Sequence, residues 1–352
     1  MKRVFIGILG FGGVVIVVLF VLLFVMSHRL KGNIEDSINA RLQVLQESVP
    51  NFSYEPFSCS GLKQIVCKSS GVGFKDVKLE NVRLEVGQFT KNQGSVRIVS
   101  EKMSFAGEEL LTLLFGVLAR DVDFSDVLLP KSLDCSISGV LGKSEQAQDV
   151  DTMDTTATCL AKGENLSYSF AWGMQAEIGA MLELPPAHFS DVLSSMIKAY
   201  EEDSQKLLTQ TLVLFKSAKL SLEPKDLART IITKLAQDKE LDAQAYQQQH
   251  ANLARSLQSM KAFVIYIALL SDVGEKAQNL EPLVDGVLAM FLGENNGVVY
   301  ELRHNDANTH KSLSLGEWLH NPVLSLQKSR ATFSFEEVPL DSTESKVESK
   351  KD

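Results

Sequence analysis

Four cysteines are the residues whose spacing in this chain most directly predicts chemistry. Cys59 and Cys67 bracket a short segment that contains a glycine, and Cys135 and Cys159 bracket a longer, polar one. Strand-like residues flank both pairs, so each pair is predicted to close a β-hairpin with a local disulfide. Each bond would stabilise the fold by about 2–4 kcal/mol in an oxidising compartment. Four buried free thiols in a reducing compartment are the alternative.

Other catalytic and metal-binding patterns are missing from the sequence. The six histidines are scattered and no Cys-x-x-Cys pair occurs, so we expect neither a metal nor a cofactor. Ser-x-x-Lys begins at Ser60, Ser195 and Ser325, but the companion motifs of penicillin-binding proteins are lacking. We therefore expect no enzymatic activity and no catalytic residue. A membrane-tethered hydrolase whose site is assembled from distant residues is the alternative.

A stripe of large apolar side chains marks the candidate binding residues. Tyr168, Phe170, Trp172 and Met174 alternate with small or polar residues. A period of two indicates an antiparallel strand that is buried on one face only. The apolar face of this strand is a candidate groove for a hydrophobic ligand. Complete burial of the stripe in the core is the alternative.

The charge balance argues against nucleic acid as a partner. Lys and Arg total 35 against 44 Asp and Glu, which gives a net charge of -9. An acidic chain has no general attraction for a phosphate backbone. With 352 residues, 45% of them hydrophobic, the chain is long enough to bury a sizeable core.

The N-terminus predicts a membrane anchor. Residues 4–26 are apolar, with no charge and no proline. As a helix they would extend roughly 34 Å at about 1.5 Å per residue, enough to cross a hydrocarbon core of about 30 Å. A cleavable signal peptide is the alternative, but its apolar core is shorter and a small-residue cleavage site should follow it. Basic residues flank both ends, so the predicted disulfides, rather than charge, favour a body on the side of the membrane that faces an oxidising compartment.

The patterning along the chain predicts an α+β protein. An N-terminal transmembrane helix precedes a curved antiparallel β-sheet with bulged strands, and a helical region occupies the C-terminal half. Bulges are expected because the alternation changes parity, for example at Glu80 and Asn81. Within the helical region, alternation at residues 217–222 favours a strand. The predicted division is an anchor (1–27), a helical stalk (28–50), a β-rich region (51–184), a helical region (185–295), a closing strand–helix–strand segment (296–338) and a disordered tail (339–352).

The anchor and two further features together resemble bacterial AsmA-like envelope proteins. The anchor leads into the body, residues 74–86 form an alternating Asp-Val-x-Leu strand phrase, and residues 288–292, 298–302 and 314–318 are similar to a helix–strand–helix close. The resemblance implies a groove-forming sheet on the periplasmic side of the bacterial inner membrane, in relatives associated with phospholipid movement or outer-membrane assembly. This chain is shorter and has a helical insertion after Pro185, so a local binding role fits it better than a conduit across the envelope.

Together these patterns predict a single-pass inner-membrane protein whose periplasmic body binds a lipid, a hydrophobic ligand or an envelope protein. The anchor at residues 4–26 makes the membrane itself a partner. A purely structural protein that acts in assembly is the alternative in another functional class.

Overall fold

Alternating segments of the chain form one antiparallel sheet in a computed structural model of the protein. With strands numbered along the chain, as defined below, neighbouring strands follow the order β1-β3-β4-β5-β6-β7-β8-β9-β10-β12. In addition, β2 pairs with β3 and β11 pairs with β9. The structure describes residues 34–61, 64–75, 77–87, 90, 92–105, 122, 124–143, 151–178, 208–209, 211–237, 241–269, 281–304, 312–320 and 331–340. In these residues no helix is long and apolar enough to cross a membrane. The predicted anchor at 4–26 and the tail from 341 onwards lie outside them.

The described strands are β1 (Phe52–Tyr54), β2 (Ser58–Ser60), β3 (Ile65–Phe74), β4 (Val77–Val86), β5 (Gln93–Phe105), β6 (Ser132–Lys143), β7 (Asp151–Lys162), β8 (Leu166–Glu177), β9 (Leu212–Pro224), β10 (Val298–His304), β11 (Leu313–Ser314) and β12 (Ala331–Glu337). The described helices are α1 (Ile34–Ser48), α2 (Ser125–Leu128), α3 (Leu227–Ala236), α4 (Ala243–Leu269), α5 (Glu281–Leu292) and α6 (Leu315–His320). The predicted α+β class with a large antiparallel sheet is therefore confirmed. β9 runs through the region predicted as helical, where the alternation at 217–222 had indicated a strand.

Two clusters of buried side chains lie on the same face of the sheet, which we call the inner face. The first joins α1 to strands β1 and β3–β7 and includes Ile38, Leu84 and Ile98. The second packs helices α2–α5 against β8, β9 and β10 and includes Ile231 and Leu257. Both consist of buried apolar side chains, which stabilise the sheet through the hydrophobic effect.

The helix α1 is fixed to the first edge of the sheet by polar contacts as well as by packing. The Asn39 side chain accepts a hydrogen bond from the Phe57 N–H at 2.7 Å and donates one to the Phe57 carbonyl at 2.9 Å. The Glu35 carboxylate accepts a third from the Cys59 N–H at 2.8 Å. Because these bonds satisfy backbone groups that no strand pairs, α1 closes this edge of the sheet.

The parity change predicted at Glu80 and Asn81 occurs at one level in three neighbouring strands. Pairing skips Ser70 in β3, Asn81 in β4 and Glu101 in β5, and Asn81 has a left-handed backbone with φ 53°. Because all three strands skip a residue together, the register is the same on both sides of the break. The alternate side chains therefore switch faces at this level without a change in register. Apolar residues point to the inner face both before and after the break.

Candidate functional site

Three rows of residues run across the strands on the inner face and connect the two clusters. The members of each row are directly paired from one strand to the next. The first row runs from Leu133 and Ala161 through Tyr168 to Leu222 and Val298. The next two rows lie two and four residues further along each strand. They are Cys135, Cys159, Phe170, Leu220, Tyr300 and Phe335, and then Ile137, Ala157, Trp172, Ala218, Leu302 and Phe333.

Two aromatic side chains in the second and third rows are exposed, although Cys135, Ile137 and Ala157 in the same rows are buried. Val298 in the first row is fully buried, whereas Phe170 in the second is 40% exposed and Phe333 in the third is 49% exposed. Large aromatic side chains are seldom left in water without a reason, and a contiguous exposed apolar patch marks a binding surface. We call these two phenylalanines, together with four half-buried residues of the same two rows, the apolar strip: Phe170, Trp172, Ala218, Leu220, Leu302 and Phe333.

The structure separates the four residues that the sequence singled out on β8. Phe170 and Trp172 belong to the apolar strip, and Trp172 also packs against the first cluster. Met174 is half-buried and lies at a bulge, where β9 carries one extra residue, Lys216. Tyr168 packs against both clusters and does not belong to the strip.

Tyr168 connects the sheet to the short helix α2. Its hydroxyl donates a hydrogen bond of 2.6 Å to the Leu128 carbonyl. Burial raises the pKa of the Tyr168 phenol well above its usual range, because the phenolate would lose its hydration. This residue therefore links β8 to α2 in the core.

Substitution Tyr168→Phe is expected to lower the free energy of unfolding by about 1 kcal/mol at neutral pH, because the Leu128 carbonyl loses its donor. In the parent protein the unfolded state releases the phenolic proton above about pH 10, while the folded state keeps it. Stability should therefore fall as the pH rises above 10, and this fall should be smaller in Tyr168→Phe. Urea unfolding at neutral and at alkaline pH measures both effects.

Tyr54→Phe is the matched control for that substitution. The Tyr54 hydroxyl also donates to a helix carbonyl, that of Asn39, at 2.9 Å. This variant leaves Tyr168 in place and should retain the full alkaline loss of stability. If Tyr168→Phe lost as much stability at alkaline pH as the parent protein, that loss could not be assigned to the Tyr168 phenol.

The predicted local disulfides are those that the structure contains. Cys59 in β2 is bonded to Cys67 in β3, and Cys135 in β6 to Cys159 in β7. In both cases the two cysteines are directly paired across adjacent antiparallel strands. Cys135 is fully buried, and Cys159 lies directly opposite Phe170, so the second bond borders the apolar strip.

The outer face of β4, β5 and β6 is charged. Arg97 forms a two-pronged ion pair with Asp134, with distances of 2.8 Å from Nε and 2.5 Å from Nη2, and it also reaches Glu85. The guanidinium holds the pKa of the Asp134 carboxyl below its usual range. Lys102 pairs with Glu80 at 2.9 Å on the same face. On β4, β5 and β6 the two faces thus differ strongly in polarity.

Sequence reasoning missed four members of the apolar strip. Ala218 and Leu220 lie in β9, Leu302 in β10 and Phe333 in β12. Their segments were recognised as strands, but nothing local indicates that residues as far apart as Ala218 and Leu302 are neighbours. In the part of the chain that the structure describes, no three His, Cys, Asp or Glu residues are grouped so that they could hold a metal ion.

Neither the profiles of known protein families nor the curated proteins contain a match for this chain. The function is therefore argued from the geometry of the apolar strip.

Proposed function

We propose that this protein is a membrane-anchored binding protein that holds an acyl chain of a lipid on the apolar strip. The observation that supports the proposal is the exposure of Phe170 and Phe333, at 40% and 49%, on a face that is otherwise closed by two buried clusters. Burying such side chains against a ligand would contribute about 25 cal/mol for each Å² of apolar surface removed from water.

The dimensions of the strip fit one acyl chain. It crosses β8, β9, β10 and β12, which is three strand spacings, or about 14 Å at about 4.8 Å per spacing. One leaflet of a bilayer core about 30 Å thick contains chains about 15 Å long. An extended chain would therefore lie across the strands, in contact with both exposed phenylalanines.

The size of the strip also favours a small ligand over a folded protein. It consists of six residues, whereas stable protein interfaces have roughly 20–30 residues on each side. Ligand sites are typically lined by a few apolar and aromatic side chains. Assembly with an envelope protein is the alternative function, and it would need a surface beyond the strip.

The position of α1 would keep the body close to the membrane. Residues 27–33 separate the predicted anchor from the start of α1, and seven residues reach at most roughly 24 Å when fully extended. Because α1 is hydrogen-bonded to the sheet through Asn39 and Glu35, the body cannot move far from the anchor. Such a tether suits a protein that takes its ligand from the adjacent bilayer.

Fluorescence quenching tests the proposal directly, because the chain contains two tryptophans, Trp172 and Trp318. In the full chain carrying Trp318→Phe, a phospholipid with brominated acyl chains should quench Trp172 at saturating concentration. The same lipid without bromine should not. A chain carrying Trp172→Phe, which retains Trp318, is the control for quenching through the surrounding detergent. Equal quenching of both variants, or none of Trp172, would reject the lipid-binding function.

A further inference from the structure

The strand β12 forms the second edge of the sheet and differs from the first. The edge at β1 and β2 is covered by α1, whose side chains bind the backbone of Phe57 and Cys59. β12 pairs with β10 along its whole length, and no other described strand pairs with it. The helix α5 lies on its inner face, where Gly286 allows close approach to the Phe335 ring. In the described part of the chain, β12 is thus held in place by β10 and α5, and no strand pairs with its other side.

The first five residues of β12 lack the devices that usually protect an edge, and its two charges, Glu336 and Glu337, lie at its end. Residues 331–335 include no charge and no proline, and the strand pairs with β10 without a bulge. Thr332, Phe333 and Ser334 are all exposed. Natural proteins usually block such edges with lysine, proline or a bulge, because an open edge pairs with another strand.

The hydrogen bonds between β12 and β10 determine which backbone groups of β12 face away from β10. The Val338 N–H donates to the Gly297 carbonyl at 2.9 Å. In an antiparallel ladder the bonded pairs alternate, so Glu336 and Ser334 also bond to β10. The N–H and carbonyl groups of Phe335 and Phe333 therefore point away from the sheet.

We propose that β12 pairs antiparallel with β12 of a second copy of this chain, about a two-fold axis at Ser334. Phe333 then lies opposite Phe335 of the other copy, and both residues use their outward backbone groups. Glu336 lies opposite Thr332, and Glu337 opposite Ala331, so acidic residues never face each other. An in-register parallel arrangement would instead place each glutamate against its own copy, which is destabilising.

The pairing would also join the apolar surfaces of the two copies. Directly opposed residues in an antiparallel pair lie on the same face. Phe333 ends the apolar strip of one copy, and it would meet Phe335 on the inner face of the other. The dimer would thus carry one continuous apolar surface across both sheets. This inference does not depend on the strip binding a lipid.

Cysteine cross-linking of the full chain in a nonionic detergent tests the pairing and its register. Ser334→Cys would meet its own copy across a non-hydrogen-bonded pair, with Cα atoms about 4.5 Å apart. The two disulfides in the structure likewise join directly opposed residues of this sheet, with Cα–Cα distances of 3.9 and 4.0 Å. Thr332→Cys is the matched control on the same face. In the proposed pairing its two introduced cysteines would be offset by four residues along the strands, about 14 Å apart.

Mild oxidation with copper phenanthroline in air should cross-link Ser334→Cys at least about tenfold faster than Thr332→Cys, since a disulfide requires close Cα atoms. Sedimentation in density-matched detergent should give the parent protein a mass of twice 38.8 kDa. The variant Phe333→Lys should give a single chain with unchanged circular dichroism. Equal cross-linking of the two cysteine variants, or a parent protein that is a monomer at all concentrations, would overturn the inference.

Discussion

Replacing Cys135 and Cys159 together by alanine is expected to lower the free energy of unfolding by about 3.5 kcal/mol. Replacing Cys59 and Cys67 should lower it by about 2.5 kcal/mol. The difference follows from the loops that the bonds close, which have sequence separations of 24 and 8. A longer loop loses more conformational entropy in the unfolded chain when it is closed. Urea unfolding of both double variants beside the parent measures the two effects.

Each double variant serves as the control for the other, because both remove a bond between directly paired strands. A larger loss for the Cys59 and Cys67 pair would show that the bonds act through native packing rather than through loop closure. The most direct reason for such a result would be release of α1, since Glu35 accepts a hydrogen bond from the Cys59 backbone.

Substitution Phe170→Glu is expected to weaken acyl-chain binding by at least about tenfold, or roughly 1.4 kcal/mol. Phe170 lies in the middle of the inner face, between Cys159 and Leu220. A carboxylate at this position would have to lose its hydration when the chain binds. Because Phe170 is already 40% exposed, the free energy of unfolding should change by less than about 1 kcal/mol. Titration of Trp172 quenching by the brominated lipid measures the affinity.

Val140→Glu is the matched control for this substitution. Val140 is 45% exposed, but it pairs with Asp154 and so lies on the outer face, where Asp154 binds Lys216. The Val140→Glu substitution removes an apolar side chain about as exposed as Phe170 and adds the same charge as Phe170→Glu. The affinity for the lipid should therefore be unchanged. If both variants weaken binding equally, general electrostatic repulsion rather than the apolar strip would be responsible.

The sequence alone determined the local features of this protein. Alternation with a period of two predicted β8 and residues 217–222 of β9, because each strand has one apolar and one polar face. The short separations within each cysteine pair predicted the disulfides, because a hairpin brings nearby residues into register. The parity change at Glu80 and Asn81 also has a local origin, in a residue with a positive φ. The same patterns predicted the α+β class.

Only the tertiary structure decided which strands are neighbours and which apolar residues stay exposed. Phe170 and Tyr168 are indistinguishable in the alternating pattern, yet Tyr168 is covered by both clusters and Phe170 is not. The apolar strip exists because β9, β10 and β12 return to lie beside β8. That arrangement depends on contacts between residues far apart in the chain, and the free energy of such contacts is not encoded in any short segment.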